Sequence, residues 1–371
     1  MTLDEPSPVD LPSCQLENDI RDAAKRSLAR RRPILHHLNA DTSWLLQIPR
    51  PALPTAGRAY FNILIDPWFK GPQADVASWF SQQSHAIASA VGSIAEVEEL
   101  ILRVEKLLAS DSLSDINEEL GASVIDAIVI SHEFTDHCHM ETLLEAHSDV
   151  TIFASPEAAR LIRSWNHFRT IREMPVFAGR GSDWRKISMP PLPRWVGISR
   201  LQSDGDFVYY HSAVLVSFLP SRSSSAVSNN TKDGTDIGDP AECVIYTPHG
   251  IHPDAVSPVA AAFPPFRPLA FCHGLHDVRL SKAQQLNLGG HNGLAVQRIL
   301  KAKYWVATHD EIKKGGGIVA RFLRRKIISL KEALDEEAER LKADPKNAEL
   351  SVILEDNNFR VVANGESIIL E

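Results

Sequence analysis

Short apolar runs, separated by polar or glycine- and proline-rich stretches, dominate the chain, and most have the length of a buried strand. The clearest strands are predicted at residues 43–48, 61–65, 125–130, 150–154, 243–246, 269–272 and 304–308. Helical spacing of apolar residues is found at residues 141–146, 156–168 and 293–300. Strands that alternate with helices in this way are typical of an α/β protein.

The remaining segments divide the chain. Residues 1–32 are polar and charged, which predicts a flexible N-terminal segment ahead of a main domain at 33–328. Within that domain, an acidic, helical pattern predicts a helical insertion at about 76–120. Serine, asparagine, aspartate and glycine predict a mobile loop at about 221–242. Residues 329–371 predict a charged helix and a hairpin that pack on the domain.

Histidine follows the end of four of the predicted strands. The segment 131–139, Ser-His-Glu-Phe-Thr-Asp-His-Cys-His, is the densest, with three imidazoles and one carboxylate. Strands of one sheet that end at the same edge would bring such side chains to one site. The candidates are His132, Asp136, His137, His249, His273 and His309. Because borderline-soft divalent metals bind imidazole and carboxylate, the pattern predicts a metal site.

Composition narrows the class of partner. The net charge of −8 over 371 residues argues against nucleic acid or an anionic membrane. No apolar run reaches the roughly 18 residues that span a bilayer, and the first residues lack the apolar core of a signal peptide. The four cysteines form no Cys-x-x-Cys pair. We expect a cytoplasmic protein with a small-molecule substrate, and the sequence leaves the oligomeric state open.

Five segments together resemble the metallo-β-lactamase fold superfamily, in particular a divergent fungal-type branch near the ascorbate-lactonase-like hydrolases. The segments are 38–44, 64–67, 130–137, 244–250 and 306–310. The resemblance implies a four-layer αββα sandwich with metal ligands at one edge. The helical insertion and the C-terminal helix and hairpin would be additions to that fold.

The chain departs from the family's main motif, His-x-His-x-Asp-His. His132, Asp136 and His137 match it, but Phe134 stands at the second histidine and cannot bind a metal. A dinuclear centre of the usual kind is therefore not expected.

Two further family ligands are also replaced. The third-strand histidine falls near Arg222 and the bridging aspartate near His249, whereas the closing histidine matches His309. The ligand set that the resemblance implies is Asp136, His137, His249 and His309, with His132 as a further candidate. Such a set suits one ion, Zn²⁺ first, with Fe²⁺ and Mn²⁺ as alternatives.

The resulting hypothesis is a hydrolase that uses a metal-activated water on a small organic metabolite. The bond could be an ester, thioester, lactone or amide. His132 or His273 would transfer a proton to the leaving group, since imidazole titrates near neutral pH. Two alternatives stay open: a mononuclear iron enzyme with redox or oxygen chemistry, and a non-catalytic binding protein of the same fold.

Several neighbouring residues have two possible roles. Asp66 either supports a metal ligand or forms a turn before Pro67, and Asp310 is placed to orient a ligand histidine. His139 either replaces the missing imidazole or bonds backbone at a helix start. The glycine-rich turn at 287–293 either binds an anionic group or starts a helix.

Overall fold

The computed structural model describes residues 25–26, 29–51, 57–75, 77–108, 123–179, 183–203, 211–220, 240–280, 284–343 and 358–371. The strands are β1 (Ile34–His37), β2 (Trp44–Pro49), β3 (Tyr60–Ile65), β4 (Gln73–Asp75), β5 (Ser81–Ser84), β6 (Ala127–Ile130), β7 (Thr151–Ala154), β8 (Ile171–Glu173), β9 (Val196–Leu201), β10 (Ala213–Phe218), β11 (Ala241–Thr247), β12 (Phe266–His273), β13 (Asp277–Leu280), β14 (Gln284–Leu288), β15 (Tyr304–Val306), β16 (Lys314–Gly316), β17 (Leu323–Lys326), β18 (Phe359–Arg360) and β19 (Ser367–Ile369). The α-helices are α1 (Ile94–Leu108), α2 (Met140–Leu143), α3 (Pro156–Ser164), α4 (Trp184–Ile187), α5 (Ser257–Ala260), α6 (Gly289–Leu300) and α7 (Leu330–Ala343). Short 3₁₀ helices lie at Pro253–Val256 and Val319–Arg321.

Two large sheets contain most of the strands. The first has the order β19-β1-β2-β3-β6-β7-β8, and the second has the order β18-β15-β12-β11-β10-β9. Strands β3, β6, β7 and β8 pair in parallel, as do β11, β12, β15 and β18. Parallel neighbours end at the same sheet edge, so each sheet collects the loops that follow its parallel strands on one side.

The two sheets pack face to face, and helices cover their outer faces. Alternate residues of a strand point to opposite sides, so Trp44 and Leu46 face the second sheet while Leu45 packs outward under α1 and α3. On the second sheet, Ile245 and Phe271 likewise pack outward under α6. The four-layer αββα sandwich predicted from the sequence is confirmed.

The predicted strands all exist, with ends displaced by a few residues. The prediction missed β1 and β9, and it missed the small sheet β14-β13-β17. Polar residues dominate β14 and β17, so neither has the apolar alternation of a half-buried strand. Helix α3 begins as predicted, with the Ser155 hydroxyl accepting from the Ala158 amide and Pro156 in the first turn.

Helix α1 lies within the segment predicted as a helical insertion, and that segment also has two features that were not predicted. Its described part contains a strand, β5, which pairs with β4 and β16. Helix α1 buries Val97, Ile101 and Val104, two of them in the cluster beneath the first sheet. Helix α1 is thus part of the outer helical layer. Residues 109–122 lie outside the described residues.

The C-terminal segment contributes to both large sheets. Helix α7 matches the predicted charged helix, β18 pairs in parallel with β15, and β19 pairs antiparallel with β1. The tail therefore extends the edge of each sheet. Three predicted parts lie outside the described residues. They are residues 1–24, the first arm of the predicted hairpin at 350–354, and most of the predicted loop at 221–242, including Arg222. Within the described ranges, no helix is long and apolar enough to cross a membrane.

If α1 is an integral layer, Ile101→Ala should lower the free energy of unfolding by about 2–5 kcal/mol, since the Ile101 side chain is fully buried. Lys106→Ala, at an exposed position of the same helix, should change it by less than about 0.5 kcal/mol. Urea denaturation of both variants measures this. Equal stability of the two variants would mean that α1 is a dispensable addition.

Candidate metal centre

Loops that follow β6, β11 and β15 bring three histidines from distant parts of the chain together. The ring centroids of His137, His249 and His309 lie 4.9 to 5.1 Å apart. One ring nitrogen from each lies within 4.8 Å of the other two, and all three residues are buried. We call these residues the histidine triad. Their spacing suits three ligands of one metal ion.

Each ring of the triad is held at Nδ1 by a side-chain oxygen. The pairs are His137 with Asp66 at 2.9 Å, His249 with Asn287 at 3.1 Å, and His309 with Asp41 at 3.1 Å. An oxygen acceptor favours the tautomer with the proton on Nδ1, so Nε2 becomes the ligand nitrogen. Histidines that bind metals almost always have such a partner. The triad therefore has the supporting contacts of a metal site as well as the ligands.

Buried His137 Nε2 provides a direct test of this fit. It is shielded from solvent and makes no hydrogen bond to any residue that the structure describes. A buried polar atom without a partner costs free energy, and such atoms are rare in proteins. A metal ion bound at Nε2 would remove that cost.

Asp66, one of the three supporting residues, is itself fixed by several hydrogen bonds. Its carboxylate accepts from the Ser131 amide at 2.7 Å, from the Ser131 hydroxyl, and from the Tyr246 hydroxyl at 2.9 Å. Burial and the neighbouring Asp66 carboxylate raise the pKa of Tyr246 well above its usual range, so the phenol remains a donor. The predicted supporting role of Asp66 agrees with this geometry.

Two residues of the centre have a left-handed backbone. The φ angle of Asp66 is 42° and that of His309 is 59°. Non-glycine residues seldom adopt this region, and the strain persists where surrounding contacts fix the conformation, often at functional sites. Here those contacts include the bonds from Asp66 to Ser131 and from His309 to Asp41.

A carboxylate and an ammonium group complete the centre. Asp136 Oδ1 lies 3.6 Å from His137 Nε2, and Asp136 Oδ2 lies 3.9 Å from His309 Nε2. Oδ2 also accepts from Lys313 Nζ at 2.8 Å, and the same ammonium lies 2.6 Å from Asp41 Oδ2. Asp136 can therefore supply Oδ1 as a fourth ligand while Lys313 holds its other oxygen.

Burial keeps two rings of the triad neutral. It lowers the pKa of His249 well below the usual range, and the surrounding imidazoles add to the effect. It also lowers the pKa of His309, against an opposing contribution from Asp41. Neutral imidazole is the form that binds metals, so both rings are ready as ligands.

The charged groups in contact with the triad have a negative sum. Asp41, Asp66 and Asp136 contribute three negative charges and Lys313 one positive charge, which leaves two negative charges. Burial disfavours a charged His137, but Asp136 and Asp66 outweigh it and raise the pKa of the ring. One divalent ion would bring this buried group to formal neutrality.

His132 lies beside the triad. Its ring centroid is 5.3 Å from that of His249 and 4.2 Å from that of Phe134, and Nδ1 is 3.1 Å from Glu133 Oε2. Burial lowers the pKa of His132 well below its usual range. Among the described residues, the groups whose ligand atoms lie within 4.8 Å of one another do not include His132.

His273, the other predicted proton-transfer residue, does not join this group. Its Nδ1 lies 2.5 Å from the Gly274 carbonyl oxygen and its Nε2 lies 2.9 Å from Asn292 Oδ1. Both ring nitrogens are thus in contact with protein oxygens. The end of β12 reaches the correct sheet edge, but the ring turns toward α6.

One other prediction needs correction, and two open alternatives are decided. Asp310 does not orient His309; its carboxylate accepts from the backbone amides of Leu275 and His276. His139 caps α2 by accepting from the Thr142 amide, which is the helix-start alternative. The glycine-rich turn starts α6, as one of its two alternatives predicted.

Sequence reasoning missed three contributors: Asp41, Asn287 and Lys313. Asp41 lies in a segment that carries the family resemblance, and Asn287 opens the glycine-rich turn, so both had a weak signal. Nothing in the sequence indicated a role for Lys313, because lysine side chains are normally exposed.

No family model and no curated protein matches the chain. Among solved structures, it is similar to an isothiocyanate hydrolase from Delia radicum gut bacteria, with 14% identity and a TM-score of 0.47 over 91% of this chain and 99% of that one. A possible metal-dependent hydrolase from Veillonella parvula DSM 2008 has the same identity and TM-score over 91% of this chain and 100% of that one. The metallo-beta-lactamase fold protein YhfI from Bacillus subtilis has 10% identity and a TM-score of 0.39, over 91% and 99%. At such identities, each is a likeness in fold.

We predict that Asn287→Ala weakens Zn²⁺ binding by about 10–100-fold, because His249 loses the oxygen that orients it. Asn364→Ala is the control, since that amide contacts only the backbone of Ala88 and Ala90 among the described residues, and its affinity should stay within about 3-fold of wild type. Competition with a chromophoric chelator measures both. An affinity of Asn287→Ala within about 3-fold of wild type would contradict the assignment of His249 as an oriented metal ligand.

Proposed function

We propose that the protein is a metal-dependent hydrolase of a small organic metabolite, with one divalent ion bound by His137, His249, His309 and Asp136. The observation that carries this proposal is the buried histidine triad with an oxygen acceptor at every Nδ1. When bound, a zinc ion lowers the pKa of coordinated water to near neutrality and polarises a carbonyl oxygen. The scissile bond is an ester, thioester, lactone or amide.

The chain's own residues hold this chemistry in place. Asp66, Asn287 and Asp41 fix the three rings, so little reorganisation is needed during turnover. His132 is proposed as the proton-transfer residue, because its ring lies next to that of His249. The overall charge of −8 favours an uncharged or small substrate over a polyanion.

The same ligands also suit Fe²⁺, so a mononuclear iron enzyme with redox or oxygen chemistry is the second candidate. Three imidazoles and one carboxylate are donors that suit Fe²⁺ as well as Zn²⁺, so donor type alone does not choose between them. Metal analysis of protein purified without chelator separates the two. Zinc supports hydrolysis, and iron with a requirement for O₂ supports the alternative.

The test of hydrolysis is a panel of small esters, thioesters, lactones and amides assayed with the zinc-loaded protein. Chelation should abolish turnover and Zn²⁺ should restore it. His249→Ala should lower kcat/KM by at least about 100-fold, since a metal contributes several kcal/mol to transition-state stabilisation. His147→Ala, at an exposed histidine, is the control and should retain wild-type activity.

Hydrolysis that survives both chelation and His249→Ala would contradict the proposal. A fully metal-loaded protein that turns over no member of the panel would instead favour a non-catalytic binding protein.

A further inference from the structure

A second set of possible ligands lies directly beside the histidine triad. Asp41, Asp136 and His309 are buried, and one ligand atom from each lies within 4.8 Å of the others. His309 belongs to both sets, so the two sets are adjacent and share this one residue. Two carboxylates and an imidazole at this spacing would normally attract a divalent cation.

Lys313 already fills the space between these two carboxylates. Its ammonium lies 2.6 Å from Asp41 Oδ2 and 2.8 Å from Asp136 Oδ2, and only 5% of the side chain is exposed. Nζ also lies 5.4 Å from the ring centroid of Trp68, which adds a cation–π contact. The ammonium group occupies the space between the two carboxylates, and its positive charge would repel a second cation placed there.

The charges around the triad also disfavour a second metal ion beside Asp41 and Asp136. With Lys313 in place, one divalent ion neutralises the carboxylates that contact the triad, and a second would leave two buried positive charges. Unpaired buried charge is strongly unfavourable. Without Lys313, the group would have three negative charges and room beside Asp41 and Asp136.

We propose that Lys313 takes the place of a second metal ion and limits the centre to one divalent ion. It is a positioning residue that holds Asp136 by Oδ2 and leaves Oδ1 for the metal. This inference rests on the proposed metal centre. It also gives a reason, independent of Phe134, for a mononuclear site.

The experiment is a zinc titration of chelator-stripped protein, with bound zinc counted by mass spectrometry after gel filtration. Wild type, Lys313→Arg and Lys314→Met should each bind one equivalent, since arginine keeps the charge and Lys314 is exposed on β16. Lys313→Met should bind two. Circular dichroism checks that each variant is folded.

The outcomes separate the two proposals. One equivalent in every folded variant overturns the role of Lys313 and leaves the metal centre intact, as does a wild type that binds two equivalents. No zinc in wild type or Lys314→Met overturns the metal centre, and this inference with it.

A measurement on the wild type keeps the proposal testable if Lys313→Met does not fold. Wild type with excess Co²⁺ should show the paramagnetic resonance of a single isolated ion. Spin coupling between two Co²⁺ ions would overturn the proposal.

Discussion

Three oxygen atoms, on Asp66, Asn287 and Asp41, hold the Nδ1 atoms of the histidine triad, and the whole centre depends on these contacts. They come from three places: the end of β3, strand β14, and the loop between β1 and β2. The bond from Tyr246 on β11 to Asp66 also joins the second sheet to the first. Strand β14 of the small polar sheet thus positions Asn287, whose side-chain oxygen holds the ring of His249.

Burial and charge act in opposite directions on this centre. Loss of solvent keeps His249 and His309 neutral, whereas the carboxylates raise the pKa of His137 and create a buried negative charge. Lys313 neutralises one of those charges and forms ion pairs with Asp41 and Asp136. A single divalent ion would balance what remains, which agrees with the stoichiometry that we propose.

The family resemblance was sufficient to predict the layers of the fold, and the histidines after strand ends were sufficient to predict that His137, His249 and His309 converge. The expectation that their strands belong to one sheet was wrong. His137 follows β6 of the first sheet, whereas the other two histidines follow β11 and β15 of the second. The sequence could not predict the direction of a ring. His273 also follows a strand end and was predicted at the site, but its ring contacts Gly274 and Asn292 instead. Contacts such as Lys313 with Asp41 join residues more than 250 positions apart, and nothing local marks them. The edge strands β18 and β19 are too short to show a period, so the way the tail completes both sheets was also out of reach.

The most direct test of the central claim is X-ray absorption at the zinc edge, on protein loaded with one equivalent of Zn²⁺. The account predicts three imidazole nitrogens and one or two oxygens at about 2.0–2.1 Å. A spectrum with fewer than two imidazoles, or with sulfur at about 2.3 Å, would contradict it, because the ion would then lie outside the triad.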